Sequence, residues 1–409
     1  MIKIGQPYIE KVNNKTRLCC LVNYDNKDEI IWYEVENKYE NCLCDERADA
    51  FVVAFLPYAM AFKKDIVIEA AISERLYYQL YNYYIPCLVK YSNYYHDIKI
   101  TFNRLDNSIY QVNGNAVGTG FSGGVDSFYT ILKNIHQLTD SYNITHLTFF
   151  KVGATGSFGG EKADKTFEQR VNNFNSIVDE FNLEFVVINS NISEHAKMSF
   201  NYIHTFRSIS AVLALQKLFK VYYYSSGTTM DQFSFNPNDS ANYDFFNMNN
   251  FAVEGMQLYS VGLEVNRLDK QRYIQPYDVT YKYLNVCNLE AFNCSKCEKC
   301  LRTMVGFHIL GTLDRYEKIF DINLFYRHFN KNIGFLIGKS IDGSPEGNAD
   351  KALIKDMKKY HKHISVISYL IAIPYLIKSL AYRCAKKIKP IKRLYHKYMN
   401  KKLGCNYND

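Results

Sequence analysis

The sequence predicts an α/β protein built on a doubly wound parallel sheet, with a small N-terminal α/β domain and a C-terminal helical extension. Three observations lead there. Between residues 113 and 340, short and continuously apolar segments alternate with helix-like ones, as strands covered on both faces of a parallel sheet require. Small and glycine-rich turns follow those apolar segments, at the carboxyl ends where open α/β sheets hold ligands. Beyond residue 340 the pattern turns helical and basic.

In residues 1–112, Arg17–Tyr24 and Glu29–Val35 read as strands around a polar turn at Asp25–Asp28. Ala48–Phe62 and Ser73–Tyr84 carry helical apolar spacing with Ser73 as an N-cap, and His96–Phe102 alternates like a strand. No chemical motif marks this region, which reads as a packing or substrate-shaping accessory domain. From 113 to 340 the expected order is strand Ala116–Phe121, helix Phe128–Gln137, strand His146–Phe150, glycine-rich loop Gly153–Gly160 and helix Lys165–Phe181. Strand Glu184–Ile188, helix Phe206–Phe219 and strand Val221–Tyr224 continue it. Residues 341–409 open with the linker Asp342–Asn348 and go on as basic helices. There Ile364–Ile377 is apolar but for Ser and Tyr and is interrupted by Pro374. It is too short to span a bilayer; it suits a helix on a membrane surface or one docked on its own protein.

With 409 residues, 47% hydrophobic and 22% charged, the chain is neither disordered nor collagen-like. The start lacks a secretory pattern and no long apolar run occurs, so a cytoplasmic location is expected. The net charge of +8 is local. Residues 351–409 hold 15 Lys and Arg against Asp356 and Asp409 alone, a balance of +13 that leaves −5 for the first 350 residues. An acidic body speaks against a nucleic acid gripped across its catalytic face. Eleven cysteines in a reducing compartment point to metal or catalytic use before disulfides.

The strongest local motif is Ser122-Gly123-Gly124-Val125-Asp126-Ser127, between a strand and a helix. Two glycines let backbone N–H groups close on an anion. The hydroxyls and the helix N-terminus add donors and a positive dipole end, and Asp126 suits Mg²⁺ or a helix cap. Gly334-Phe-Leu-Ile-Gly338-Lys339-Ser340 imitates a kinase-type P-loop, but it is one residue short between the glycines and apolar inside, which suits a strand or buried turn.

A second cluster, Cys287, Cys294, Cys297 and Cys300, places four soft ligands within one short segment. Four thiolates match tetrahedral Zn²⁺, with an iron–sulfur cluster as the alternative. Lys296, Lys299 and Arg302 are placed to offset the charge of such a centre, which is expected to be structural.

The SGGxDS string resembles the PP-loop of the ATP pyrophosphatase (adenine nucleotide alpha-hydrolase-like) superfamily. That resemblance implies ATP held by its phosphates, attack of a substrate oxygen on the α-phosphorus and release of pyrophosphate. Taken with the cysteine cluster, residues 115–320 resemble the 7-cyano-7-deazaguanine synthase (QueC) family. Ser122, Gly123, Gly124, Asp126 and Ser127 match its ATP loop, and Val125 stands within it. The four cysteines match its zinc ligands, with a shorter first gap. Arg207, in His204-Thr-Phe-Arg207-Ser208, resembles an arginine of the family's substrate segment, and Gly227–Asp231 its substrate loop, one residue short.

The resemblance implies an ATP-dependent ligase or synthase using ATP, Mg²⁺ and Zn²⁺. It would adenylate a small carboxylate such as a 7-deazaguanine acid and pass it to ammonia or an amine, with Asp126 and Arg207 in catalytic roles. Related proteins with added domains work in conflict and modification systems, so a protein or RNA acceptor is also expected. The chain would act as a homo-oligomer or complex subunit, with its basic tail on a membrane surface or a partner. Two other classes remain: a tRNA-thiolating PP-loop enzyme, and a non-catalytic nucleotide-binding subunit. Gly153–Gly160 would serve as a lid or a plain surface loop, and His195 and His204 as acid–base groups or packing histidines.

Overall fold

The computed structural model describes residues 1–112, 116–237, 239–287, 289–342 and 344–387. The chain forms two compact units, Met1–Lys270 and Gln271–Asp409.

The first unit is organised by one sheet. Its strands are β1 (Ile2–Ile4), β2 (Tyr8–Val12), β3 (Lys15–Tyr24), β4 (Lys27–Glu36), β5 (Ile66–Ser73), β6 (Ile100–Asp106), β7 (Ala116–Gly120), β8 (His146–Phe150), β9 (Glu184–Ser190), β10 (Phe219–Ser225) and β11 (Gln257–Val261). They run in the order β11-β10-β7-β8-β9-β4-β3-β1-β5-β6, with β2 on β3. From β11 to β9 every pairing is parallel. The chain leaves β7 through β8 to β9 and then returns to the other side of β7 as β10. That reversal creates a switch point at the end of β7, in an order compatible with a doubly wound fold. Gly118 allows β10 to close on β7, since a Cβ there would stand 2.6 Å from the Phe219 ring.

Beyond β9 the sheet continues antiparallel through β4, where Tyr33 pairs with Ser190 and Glu34 with Asn189. The expected divide after residue 112 therefore falls inside one unit. Buried charge crosses it too. Arg47, before helix α1 (Asp49–Ala61), meets Glu254 at 2.6 Å, Asp49 at 3.2 Å and the side-chain oxygen of Gln216 at 2.5 Å. Helix α1 is apolar on all sides and buried accordingly, in one core with Phe206, Ile209 and Val212.

The β3–β4 hairpin turns at Asp25 and Asn26, both left-handed with φ of 53° and 60°, which Asn and Asp tolerate. Ser73 caps its helix as expected, accepting from the Leu76 N–H at 2.9 Å. That helix ends at Gln79, passes through a π-turn over Leu80–Tyr84 and resumes at Ile85. The strand expected at His96–Phe102 lies instead at Ile100–Asp106, because parallel pairing with β5 begins at Ile100. The helices on the parallel half are α2 (Val125–Asn134), α3 (Glu161–Phe181), α4 (Phe200–Ala214), α5 (Asp244–Phe251) and α6 (Arg267–Ile274).

The second unit is helical. It contains α7 (Glu298–Leu310), α8 (Phe329–Lys339), α9 (Pro345–Lys359) and α10 (Val366–Lys387), around a core of Met304, Phe307, Tyr316, Phe325, Ile333 and Leu336. The expected boundary at residue 340 is bridged by Arg302 on α7, which pairs with buried Asp350 on α9 at 2.6 Å. The segment Gly334–Ser340, expected as a strand or buried turn, is the end of helix α8. Its two glycines share one helix face and let α10 approach; a Cβ at Gly338 would stand 2.1 Å from Cβ of Tyr375. Among the described residues no helix is long and apolar enough to cross a membrane.

Candidate functional site

Ser122–Ser127 joins β7 to α2, at the switch point. Gly123 has φ +75°, a conformation side chains disfavour, and it turns the chain sharply into the helix. Ser127 donates to the Gly124 carbonyl at 3.0 Å, and Ser122 Oγ lies 3.4 Å from both Ser127 Oγ and the Gly124 nitrogen. The N-cap residue of α2 is Gly124, which has no side chain to close the first turn, and the first N–H groups of a helix lack intrahelical acceptors. Val125 is buried and anchors the helix start. The loop thus assembles backbone and hydroxyl donors of the kind an anion needs.

Asp126 lies in the first turn of α2, with Gly124 at the N-cap position. Arg267 donates to its Oδ2 at 2.5 Å and Lys270 to its Oδ1 at 3.1 Å. Lys270 also donates to the Ser226 carbonyl at the end of β10, at 2.5 Å, and its side chain is only 2% exposed. Two cations therefore stand at the loop, one of them buried. Neither was found by sequence reasoning. The available signal was the basic start of a helix after a strand, but that strand, β11, lies at the sheet edge and alternates rather than running apolar.

Arg207 lies on α4, fully buried, and burial pulls its guanidinium down to about 10. It donates to the Ser157 carbonyl and the His195 carbonyl, both at 3.3 Å. Among the described residues no carboxylate pairs with it and it makes no hydrogen bond to Ser122–Ser127. It sits under the loop Gly153–Gly160, where a Cβ on Gly153 would come within 3.3 Å of it. The structure thus brings Ser122–Ser127 together and places Arg207 beneath a different loop. The two histidines are tied into local networks: His195 to the Tyr24 hydroxyl at 3.1 Å, His204 to Asp239 at 3.0 Å and the Tyr224 hydroxyl at 3.1 Å. Asp244, heading α5, accepts from Ser226 and Ser260 through Oδ1, while Oδ2 is buried without a hydrogen-bond partner. Burial pushes its carboxyl up to about 6.

In the second unit the four cysteines converge, with all sulfur atoms within 4.8 Å of one another. Cys297 caps α7, and Ser295 takes a left-handed φ of 58° between Cys294 and Cys297. Backbone N–H groups of Glu290, Cys297 and Cys300 donate to the sulfurs of Cys287, Cys294 and Cys297 at 3.4, 3.3 and 3.5 Å. Burial raises the Cys287 thiol, but backbone donors from Cys294, Leu289 and Glu290 outweigh it and bring it to about 7. Such N–H to sulfur bonds favour thiolates, so four Cys ligands fit a soft tetrahedral ion such as Zn²⁺. The charge-offset role expected of Arg302 is not seen, because its guanidinium is held by Asp350 and Glu298.

Comparison of the chain with protein families, with curated proteins and with solved structures found no match.

Proposed function

We propose that this chain is a PP-loop enzyme of the adenine nucleotide alpha-hydrolase type, an ATP-dependent ligase that adenylates a carboxylate. The observation that carries the reading is the strand–SGGVDS–helix junction at the switch point, flanked by Arg267 and buried Lys270. Loop N–H groups, Ser122, Ser127 and the two cations offer the donors a triphosphate requires. Arg267 and Lys270 would exchange Asp126 for phosphate oxygens, and Asp126 would then be available to hold Mg²⁺, which neutralises charge on the phosphates when bound.

Arg207, a buried cation satisfied only by carbonyls, suits a substrate carboxylate. The carboxylate oxygen would form a bond to the α-phosphorus as pyrophosphate leaves; ammonia or an amine would then displace AMP. Fixed donors and cations supply most of the rate by positioning and charge stabilisation. The resemblance to 7-cyano-7-deazaguanine synthases makes a 7-deazaguanine acid the first substrate to try.

The test is turnover of ATP labelled at the α-phosphorus, with Mg²⁺, ammonium and 7-carboxy-7-deazaguanine, in wild type and Asp126→Ala. AMP that depends on the acid and vanishes in the variant is the expected result. AMP without that dependence retains the mechanism and changes the substrate. ADP as product refutes it, and nucleotide binding without any turnover favours a non-catalytic subunit.

A further inference from the structure

Helix α10 is inverted relative to an ordinary surface helix. Its small residues Ser368, Ala372 and Ser379 are buried. Of these, Ser368 and Ala372 lie on the side facing α8, where the Ser368 and Ala372 carbonyls lie close to Gly334 and Gly338. Ser368 donates to Asn330 at 3.1 Å, and Tyr375 meets Phe335 edge-on. The opposite side carries Val366, Leu370, Ile373, Ile377 and Leu380, spaced four, three, four and three residues apart; Val366, Leu370 and Ile377 are 74%, 61% and 63% exposed. This stripe runs for roughly 20 Å along the helix at 1.5 Å per residue. A monomer does not leave so continuous an apolar face in water without a use for it.

Charge says what covers it. From Val366 to Lys402 the sequence holds ten Lys and Arg and no Asp or Glu. A second copy would bring a second such segment alongside, and like charges would oppose the pairing. An RNA would meet the cations but gains nothing from aliphatic side chains. Anionic lipid satisfies both: acyl chains take the stripe, and phosphate and carboxylate headgroups take the lysines. The same unit also has a pocket of about 470 Å³ bordered by Lys296, Lys299, Lys331, Glu298 and Tyr375 of α10, in which lysines outnumber the one acid. Because no described helix meets the requirement for crossing a bilayer, the helix would lie in the plane of the interface.

We propose that α10 docks this protein on the surface of an anionic membrane, with Val366, Leu370, Ile373, Ile377 and Leu380 entering the headgroup–acyl boundary. The test is co-sedimentation of the full chain with vesicles of phosphatidylcholine alone and of phosphatidylcholine with phosphatidylserine. Wild type and the double variant Leu370→Glu/Ile377→Glu are compared. Both positions are exposed, so far-UV circular dichroism and the melting curve of the variant should match wild type, separating lost binding from lost fold. The expected result is binding to the anionic vesicles alone, weakened when salt rises from about 0.1 to about 0.5 M, and a partition coefficient about tenfold lower or less in the variant. Absence of binding, equal binding to both vesicles, or a variant that binds like wild type overturns the proposal. So does a wild-type dimer that the variant dissolves, or RNA binding in place of lipid.

Discussion

Removing the Lys270 ammonium tests whether the loop and the end of β10 are one electrostatic element. In Lys270→Met the Ser226 carbonyl loses its donor at 2.5 Å and Asp126 loses one of two cations. At the 3.1 Å that separates Lys270 from Asp126, a unit-charge pair is worth about 5 kcal/mol at an effective dielectric near 20, offset by the cost of burying the ammonium. Breaking a fully buried pair from one side costs about 3–5 kcal/mol. Asp126 is 23% exposed and keeps Arg267 at 2.5 Å, so a net loss of about 2 kcal/mol is expected after screening.

That loss corresponds to a fall in melting temperature of roughly 4–8 °C for a unit of this size. The chain's single tryptophan, Trp32, lies on β4 in the same unit. Its emission during urea unfolding follows that unit without contribution from the helical one. Asp126→Asn alone leaves two cations without their acid, and the double variant should recover part of both losses, with a coupling of about 1.5 kcal/mol. A coupling under about 0.5 kcal/mol would refute the linkage and, with it, the argument that these cations stand ready for phosphate.

Elemental analysis should find one zinc per chain and a colourless protein; Cys300→Ser should lose the metal and lower the melting temperature of the helical unit, while a brown protein with iron would replace zinc by an iron–sulfur cluster. Gly338→Leu must push a side chain into Tyr375, and overpacking of this kind costs about 1–3 kcal/mol, read as a loss of helical stability by circular dichroism; an unchanged melt contradicts the close α8–α10 contact. Burial raises the Asp244 carboxyl from 3.8 to about 6, so between about pH 4 and 6 the folded protein keeps it protonated while the unfolded chain ionises it. Its contribution is complete below about pH 4 and is lost as pH rises through about 6, a change of up to roughly 3 kcal/mol. Asp244→Asn should flatten that slope and be more stable than wild type above pH 6; an unaltered slope in urea titrations would show that Asp244 is not its source.

What was legible in the sequence follows from local chemistry. The β3–β4 hairpin was visible because Asp25 and Asn26 favour a tight turn, and β7, β8, β9 and β10 because strands buried on both faces read as apolar runs. Four cysteines at short spacing pointed to the cluster that could hold a metal ion. Edge strands hid: β11, with one face open, shows alternation too brief to stand out. The helical break at Leu80–Tyr84 left no local mark, and the glycine pair of α8 stood out without revealing its use, which depends on Ala372 and Tyr375 further along the chain. Lys270 was illegible for the same reason, since its role depends on Asp126 at the start of α2 and Ser226 just after β10.

The antiparallel seam between β4 and β9 sets a schedule for folding. The hairpin of β3 and β4 can close as soon as it leaves the ribosome, on a microsecond scale. Its outer edge is completed only when Asn189 and Ser190 arrive. At usual synthesis rates that wait is roughly 10–30 s. Throughout it, β4 presents unpaired backbone to the cell, guarded by Asp28, Glu29 and Glu36 along its length, as exposed edges commonly are. A nascent chain or an expressed fragment ending between β6 and β9 would keep that edge open indefinitely. Fragment boundaries for expression therefore belong after β11, and a slow, long-range closing step should dominate refolding of the sheet.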